Sequence, residues 1–380
     1  MDFNLTEEQQ MLQDMLSRLV RDHYSFEKRM SHYASQEGYS TAFWQQLADQ
    51  GLTGVPIDET YGGFGGGGVE NMLLMKELGR GLCLEPVLAS QIFAAGLLQQ
   101  LGNKEQKEKI LPLVASGELK LAAALTETNS HYSLQHVACR ARQQGDTWFL
   151  SGQKSVVVGG AAADLLLVSA RTAGEQGDPE GISLFLVEPW AKGVTRNAYP
   201  CIDGPRACDL LLDEVMVGRG GVLGTPGQVF TTLQYQQERA AAAASAEALG
   251  SMEEAFTLTL DYLKTRQQFG QPIGKFQALQ HRMADMRGEL ELATSMTLLA
   301  ASLADHPPSD ERSRKLAASR FIVTRAARFI AEQAIQLHGG SGMTWEYALA
   351  HHAKRLVMLS HHLGDEDTHL QRFADLLKAS

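Results

Sequence analysis

The stretch "YLKTRQQFGQPIGKFQALQHRMADM", residues 262–286, decides how the chain is built. A helix-forming run ends near Phe269–Gly270, a turn follows on Pro272 and Gly274, and a second helix starts near Phe276. Arg266, Gln267, Gln268 and Gln277 fall between the two helices, where they can present a charge and amide groups from an elbow. Periodicity alone is equally compatible with an ordinary helical hairpin with a polar turn.

Working outward, helical periodicity persists from about 229 to the end. Ile322, Ala326, Phe329, Ile330, Ala334 and Leu337 make one apolar stripe, with Arg320, Arg325 and Arg328 off it. That helix runs into "EQAIQLHGGSGMTWEY" (332–347), whose clustered glycines leave backbone bare. From about 120 to 228 the texture is different. Short β-favouring runs at 147–150, 154–158, 164–170, 182–188 and 209–217 alternate with "QQGD", "GEQGDPEG" and "DGP", which predicts an antiparallel sandwich or barrel. The first third is helical again: Thr6 and Gln9 have capping-box spacing, and helical signals recur at 41–50, 69–80 and 86–101.

Composition narrows the function. In 380 residues, 44% are hydrophobic and the net charge is −10, with no Lys/Arg-rich run, so a nucleic-acid surface is excluded. The acidic, amphipathic N-terminus matches neither a signal nor a transit peptide, and no apolar run reaches membrane-spanning length; cytoplasm is the expected location, without membrane insertion. Cys83, Cys139, Cys201 and Cys208 lack CxxC spacing, which argues against zinc or a disulfide framework. His351, His352, His361, His362 and His369 lack metal-site spacing, and the expectation is no metal and a solvated or interface face. "GFGGGG" (63–68) has no preceding buried strand, so it reads as a helix connection and not a dinucleotide loop.

The 262–286 segment and "QAIQLHGGSGMTWEY" closely resemble two signature segments of the acyl-CoA dehydrogenase family. "LTEEQQMLQ", "DETYGGFG" and "LTET" (125–128) fall in the family's order, so the resemblance covers essentially the whole chain. Within the family, "LKTRQQFG", "GQKSVVV" and "LGDEDTHL" are most similar to small subunits of pimeloyl-CoA dehydrogenase-type enzymes. The resemblance implies an α+β fold with an N-terminal helical domain (1–118), a central antiparallel β domain (119–228) and a C-terminal four-helix bundle (229–380). It also implies FAD held between subunits, an acyl-CoA substrate, electron-transfer flavoprotein as acceptor, and a homo-oligomer or a hetero-oligomer with a larger subunit.

By the same resemblance, Gln336, Gly339 and Gly340 meet the ADP half of FAD, and Arg266 and Phe269 reach that nucleotide from a neighbouring subunit, with Gln277 on the same elbow. "TETNSHYSL" matches the family's flavin-facing loop at Thr126, Glu127 and Ser133; Val156 stands where a Trp usually shields the flavin and Val158 where a Thr usually bonds it. For the base that removes the α proton, counting from "HAK" reaches Ser360, whereas anchoring on "HLQR" reaches Asp365. A second family position points to Glu238 before Arg239, but counting back from Gly250 lands on Ala240. Asp365 is preferred and Glu238 is the alternative. Their plainer roles are a helix N-cap and a surface acid. Two other functions stay open: a non-catalytic small subunit supporting a catalytic partner, and a nicotinamide-linked oxidoreductase.

Overall fold

The computed structural model describes residues 5–379. The chain forms two compact units, one from residues through Ser31, Gly67–Cys83 and Ala241 onward, the other from His32–Gly66 and Leu84–Ala240.

The second unit is built on a sheet. Its strands are β1 (Leu121–Ala124), β2 (Arg140–Gln144), β3 (Thr147–Val158), β4 (Leu165–Arg171), β5 (Ile182–Val187), β6 (Val194–Pro200), β7 (Arg206–Gly218) and β8 (Val222–Leu223). They pair in the order β6-β7-β3-β2-β4-β5-β8, with β1 beside β4. Pairing is antiparallel except for β1–β4 and a single β2–β4 contact. Alternation sends Trp148 and Leu150 of β3 inward with Leu166, Val168, Phe185 and Val215, and the core continues into Leu97, Leu98, Leu111 and Val114 of the helices beside it. The helical segment predicted at 86–101 begins as a π-turn, Leu88–Ala94. There Ile92 O accepts Gln236 Nε2 at 2.7 Å, a side chain drawn into the backbone ladder where the wider turn releases a carbonyl.

The other unit is helical. Its members are α1 (Glu7–His23), with the predicted Thr6–Gln9 capping box, and α4 (Gly68–Arg80), α4 being the fourth helix after α2 (Phe26–Ala34) and α3 (Thr41–Asp49). After α5 (Ala95–Leu101) and α6 (Lys104–Ala115) of the sheet-bearing unit come α7 (Phe230–Thr265), α8 (Gln277–Leu303), α9 (Asp310–His338), α10 (Ala348–Leu359) and α11 (Glu366–Ala379). α9 packs against α8, α10 and α11. Close crossing of α4 and α7 depends on glycine: a Cβ on Gly250 would collide with Lys76 O, and one on Gly79 with Glu247 O.

Three expectations change. α7 ends at Thr265, four residues early, because Gln267–Gln268 (β9) and Gln271–Pro272 (β10) pair as a small hairpin. Arg320 is not on a solvent face but buried, its guanidinium donating to Leu359 O, to His362 O at 2.9 Å and to Ser245 Oγ at 3.4 Å. His351, His352 and His369 are buried as well, not solvated. No helix of the described residues is long and apolar enough to cross a membrane.

Candidate functional site

In the sheet-bearing unit, the loop after β1 and a bulge in β3 lie side by side. Ser155 N–H donates to Thr126 O at 2.9 Å, and Thr128 Oγ1 and Ser155 Oγ are 3.0 Å apart. β3 loses register with β7 between Lys154 and Val157, and Val156 sits there at φ 53°, 50% exposed. A β-branched residue in left-handed backbone is strained and persists only where its surroundings enforce it. Here Val156 N–H is held by Asp209 Oδ1 at 2.9 Å, which also accepts Tyr199 O–H at 2.9 Å. Burial and this hydrogen bond push the Tyr199 hydroxyl up to about 12, so it remains a donor. Thr126 and Ser133 are exposed, Val158 half-buried. His131 (φ 43°) and Tyr132 (φ 67°) also take left-handed backbone, although neither is glycine.

In the helical unit, the helices that lead into the elbow and into the glycine stretch pack on each other. Tyr262, one turn ahead of Arg266, stacks on His338 at 4.3 Å between centroids, and Arg282 Nη1 donates to Gln333 Oε1 at 3.1 Å. Nδ1 of His338 faces Ala334 O at 2.9 Å, so that nitrogen carries the proton and Nε2 accepts Tyr347 O–H at 3.3 Å. Burial keeps the ring's pKa below its ordinary value, so it stays neutral. At the elbow, Phe269 is 90% exposed on left-handed backbone (φ 52°), and Arg266 and Gln277 are exposed too. Gln336, Gly339 and Gly340 are exposed at the end of α9, and a Cβ added to either glycine would meet nothing of this chain within 4 Å. An exposed arginine, an exposed ring, an amide and open backbone are the donor set that a dinucleotide takes.

The carboxylate candidates have different surroundings. Asp365 caps α11: its Oδ1 accepts Thr368 N–H at 2.9 Å and Thr368 O–H at 2.6 Å. Burial opposes its ionisation, but the Thr368 hydrogen bonds outweigh that and hold the carboxyl below the ordinary aspartate range. The turn before it, with Leu363 at φ 63° and Gly364 at φ 115°, is pinned by the Arg320 contacts. Ser360 is buried and donates to Val357 O at 2.7 Å within its own helix. Glu238 is half-buried on α7; Ala240, where counting from Gly250 lands, is fully buried. Two residues along a helix is about 200°, so the two positions face different ways.

Reading the sequence missed the buried charges Lys154 and Arg171 and the His338–Tyr262 stack. One signal was available: Lys154 shares the inward phase of Trp148 and Leu150.

Comparison with known proteins places the chain in a family. The acyl-CoA dehydrogenase N-terminal domain matches residues 6–118, the middle domain 122–215 and the C-terminal domain 228–377. Acyl-CoA dehydrogenase FadE12 of Mycobacterium tuberculosis is 30% identical over 91% of this chain and 89% of its own length. Butyryl-CoA dehydrogenase from Megasphaera elsdenii superposes with a TM-score of 0.90 at 26% identity, each chain covered in full (100%). The ChsE4–ChsE5 complex from Mycobacterium tuberculosis gives a TM-score of 0.89 at 25% identity, again with 100% of both chains covered. This chain belongs to the acyl-CoA dehydrogenase family, whose enzymes are FAD-dependent oxidoreductases.

Proposed function

We propose that this chain catalyses α,β-dehydrogenation of an acyl-CoA thioester that carries a second carboxyl group, as in the pimeloyl-CoA branch, with Asp365 as the base. The observation that carries the reading is the cradle at the ends of α7 and α9. Exposed Phe269 on left-handed backbone and the open Gly339–Gly340 backbone suit a ligand's flat ring and phosphates. Gln336, Gly339 and Gly340 of one subunit meet the ADP half of FAD, and Arg266 and Phe269 reach the same nucleotide from its neighbour, so the site is complete only in an oligomer. Thr126, Ser133, Val156 and Val158 offer two hydroxyls and an apolar edge to the ring. FAD, when bound, supplies the acceptor for the β hydride.

Asp365 is ionised at neutral pH and has Oδ1 committed to Thr368, so the α proton goes to Oδ2. A low pKa makes it a modest base, and its power depends on hydrogen bonds that acidify the thioester α carbon. Electron-transfer flavoprotein is the acceptor proposed for reoxidation. The test is the visible spectrum of the purified chain: bound FAD colours it, and Arg266→Ala, which removes a charge-assisted contact of roughly 1.5–3 kcal/mol, loses the cofactor on gel filtration.

A second reading has its own support. Asp365 is spent on a helix cap, Ala240 puts a methyl group at the other base position, and Val158 lacks a hydroxyl. Those three features suit a subunit that supports a catalytic partner of the same family, and ChsE4–ChsE5 was solved as a two-protein complex. The nicotinamide alternative finds no dinucleotide-binding loop at 62–67, whose glycines join a 3-10 turn to α4 without a strand.

A further inference from the structure

The loop that leaves β1 is gripped from both sides by buried charge. Glu127 Oε2 accepts Ala138 N–H at 2.7 Å, and its Oε1 accepts Cys139 N–H at 3.1 Å and Lys154 Nζ at 2.7 Å. Arg171 donates Nε to Val137 O at 3.2 Å and Nη2 to Gln135 O at 2.9 Å and Asp178 O at 3.0 Å. Its Nη1 reaches Glu180 O at 2.9 Å and Ala173 O at 3.3 Å. Residues 135–139 are therefore fixed through their carbonyls by one cation and through their N–H groups by one anion. At the near end, Ser130 Oγ donates to Glu127 O at 2.8 Å, closing the turn that leads into left-handed His131 and Tyr132.

Lys154 is 0% exposed, and it also bonds Ser169 Oγ at 2.9 Å. It stands two residues before Val156, and Glu127 stands four before His131, so one ion pair joins the segments that lead into the left-handed turn of the loop and the left-handed bulge of β3. Buried ion pairs are often no more stabilising than well-packed apolar pairs of the same volume, so the pair is weak evidence of a stability role. Its geometry accounts for it, since it ties the strand segment just before the Val156 bulge to the start of the loop, and the Glu127 carboxylate also holds the loop's far end at Ala138 and Cys139.

We propose that Glu127, Lys154 and Arg171 are positioning residues, a charged frame that holds the His131–Tyr132 turn and the Val156 bulge in the mutual register that receives the flavin ring. The proposal rests on the FAD reading above. The frame acts through backbone and touches no reacting atom. Removing it while filling its volume relaxes the turn and bulge and leaves the rest of the sheet in place.

The experiment compares the full-length protein with the double variant Glu127→Leu/Lys154→Met, which keeps the volume and removes the acceptors and both charges. Amide exchange is followed in the FAD-free protein, and FAD binding and the resolved structure of the visible flavin band in the loaded one. The expected result is at least about tenfold faster exchange at 128–139 with β4 and β5 unchanged, at least about tenfold weaker FAD binding, and an altered band. Glu127→Gln/Lys154→Met restores an oxygen at Glu127 and is expected to recover part of each loss. Unchanged loop exchange, or equal acceleration through β4 and β5, overturns the proposal. Wild-type protein that takes up no FAD refutes the flavin reading by itself, and the exchange arm still decides whether the frame orders the loop. If the leucine–methionine pair does not fold, Ser169→Ala removes one Lys154 partner; faster exchange confined to 128–139 supports the frame, and none overturns it.

Discussion

Gly339 and Gly340 are neighbours that answer to different constraints. Gly339 closes α9 at φ 60° and ψ −141°, a conformation that side chains avoid, whereas Gly340 has no such backbone and its Cβ would enter open space. Gly339→Ala is expected to lower stability by about 1–2 kcal/mol in urea unfolding. Gly340→Ala is expected to leave unfolding unchanged and weaken FAD binding, because only something outside the chain demands that glycine. A lower melting temperature with normal FAD affinity in Gly340→Ala would show the opposite. At the base, Asp365→Asn should slow flavin reduction by at least ~10²-fold with FAD still bound, and Glu238→Gln should not. The reverse pattern in anaerobic stopped-flow assigns the proton to Glu238.

At the scale of elements, the histidines of α10 and α11 are stability devices with a pH signature. His351 takes Arg29 Nη1 on Nδ1 at 3.1 Å and gives Nε2–H to Trp345 O at 2.8 Å, while His352 Nδ1 pairs with Ser251 Oγ at 2.9 Å. Burial first, then Arg29 and His351, depress His352 from 6.5 to about 3, and burial with Arg320 and Arg372 does the same to His369. A depressed folded pKa means that the unfolded state binds the proton first. The stability they contribute is complete above about 6.5 and is lost as pH falls from there toward about 3. Each can withdraw up to about 2 kcal/mol by pH 5. His352→Asn is expected to flatten the acid limb of unfolding free energy against pH; a limb of unchanged slope assigns the loss to other groups.

The same elements show why some structure was legible and some was not. β3, β4, β5 and β7 announce themselves by apolar runs, but β2 ("RARQQ") and β6 ("VTRNAYP") are largely exposed, and β1 ("LAAA") is alanine-rich, so no pattern marks them. Gln267 and Gln268 favour helix; the hairpin that ends α7 is imposed by Ile273 N–H returning to Arg266 O at 2.8 Å, a contact no local propensity encodes. Arg320 and the histidines look solvated because charge predicts exposure, and their burial depends on partners that folding brings together: Leu359 O and His362 O for Arg320, Arg29 and Trp345 O for His351, Ser251 for His352. Among the site residues, the elbow and glycine motifs were legible as exposed backbone, whereas the Glu127–Lys154–Arg171 frame joins residues far apart in sequence.

For the whole molecule, the central claim is that this chain is itself a catalytic flavoprotein and not only the support of one. Assembly enters through the cradle: Phe269 and Arg266 face outward, so FAD retention should track oligomerisation, and Arg266→Ala should release the cofactor without changing the monomer's fold. The direct measurement is anaerobic titration of the purified, FAD-loaded chain with a panel of acyl-CoA thioesters, with and without a terminal carboxyl group, followed at the visible flavin band. The band is expected to bleach with a carboxyl-bearing acyl-CoA in the absence of any other protein. A chain that holds FAD but keeps its band with every thioester, and bleaches only when a partner subunit is added, would contradict it.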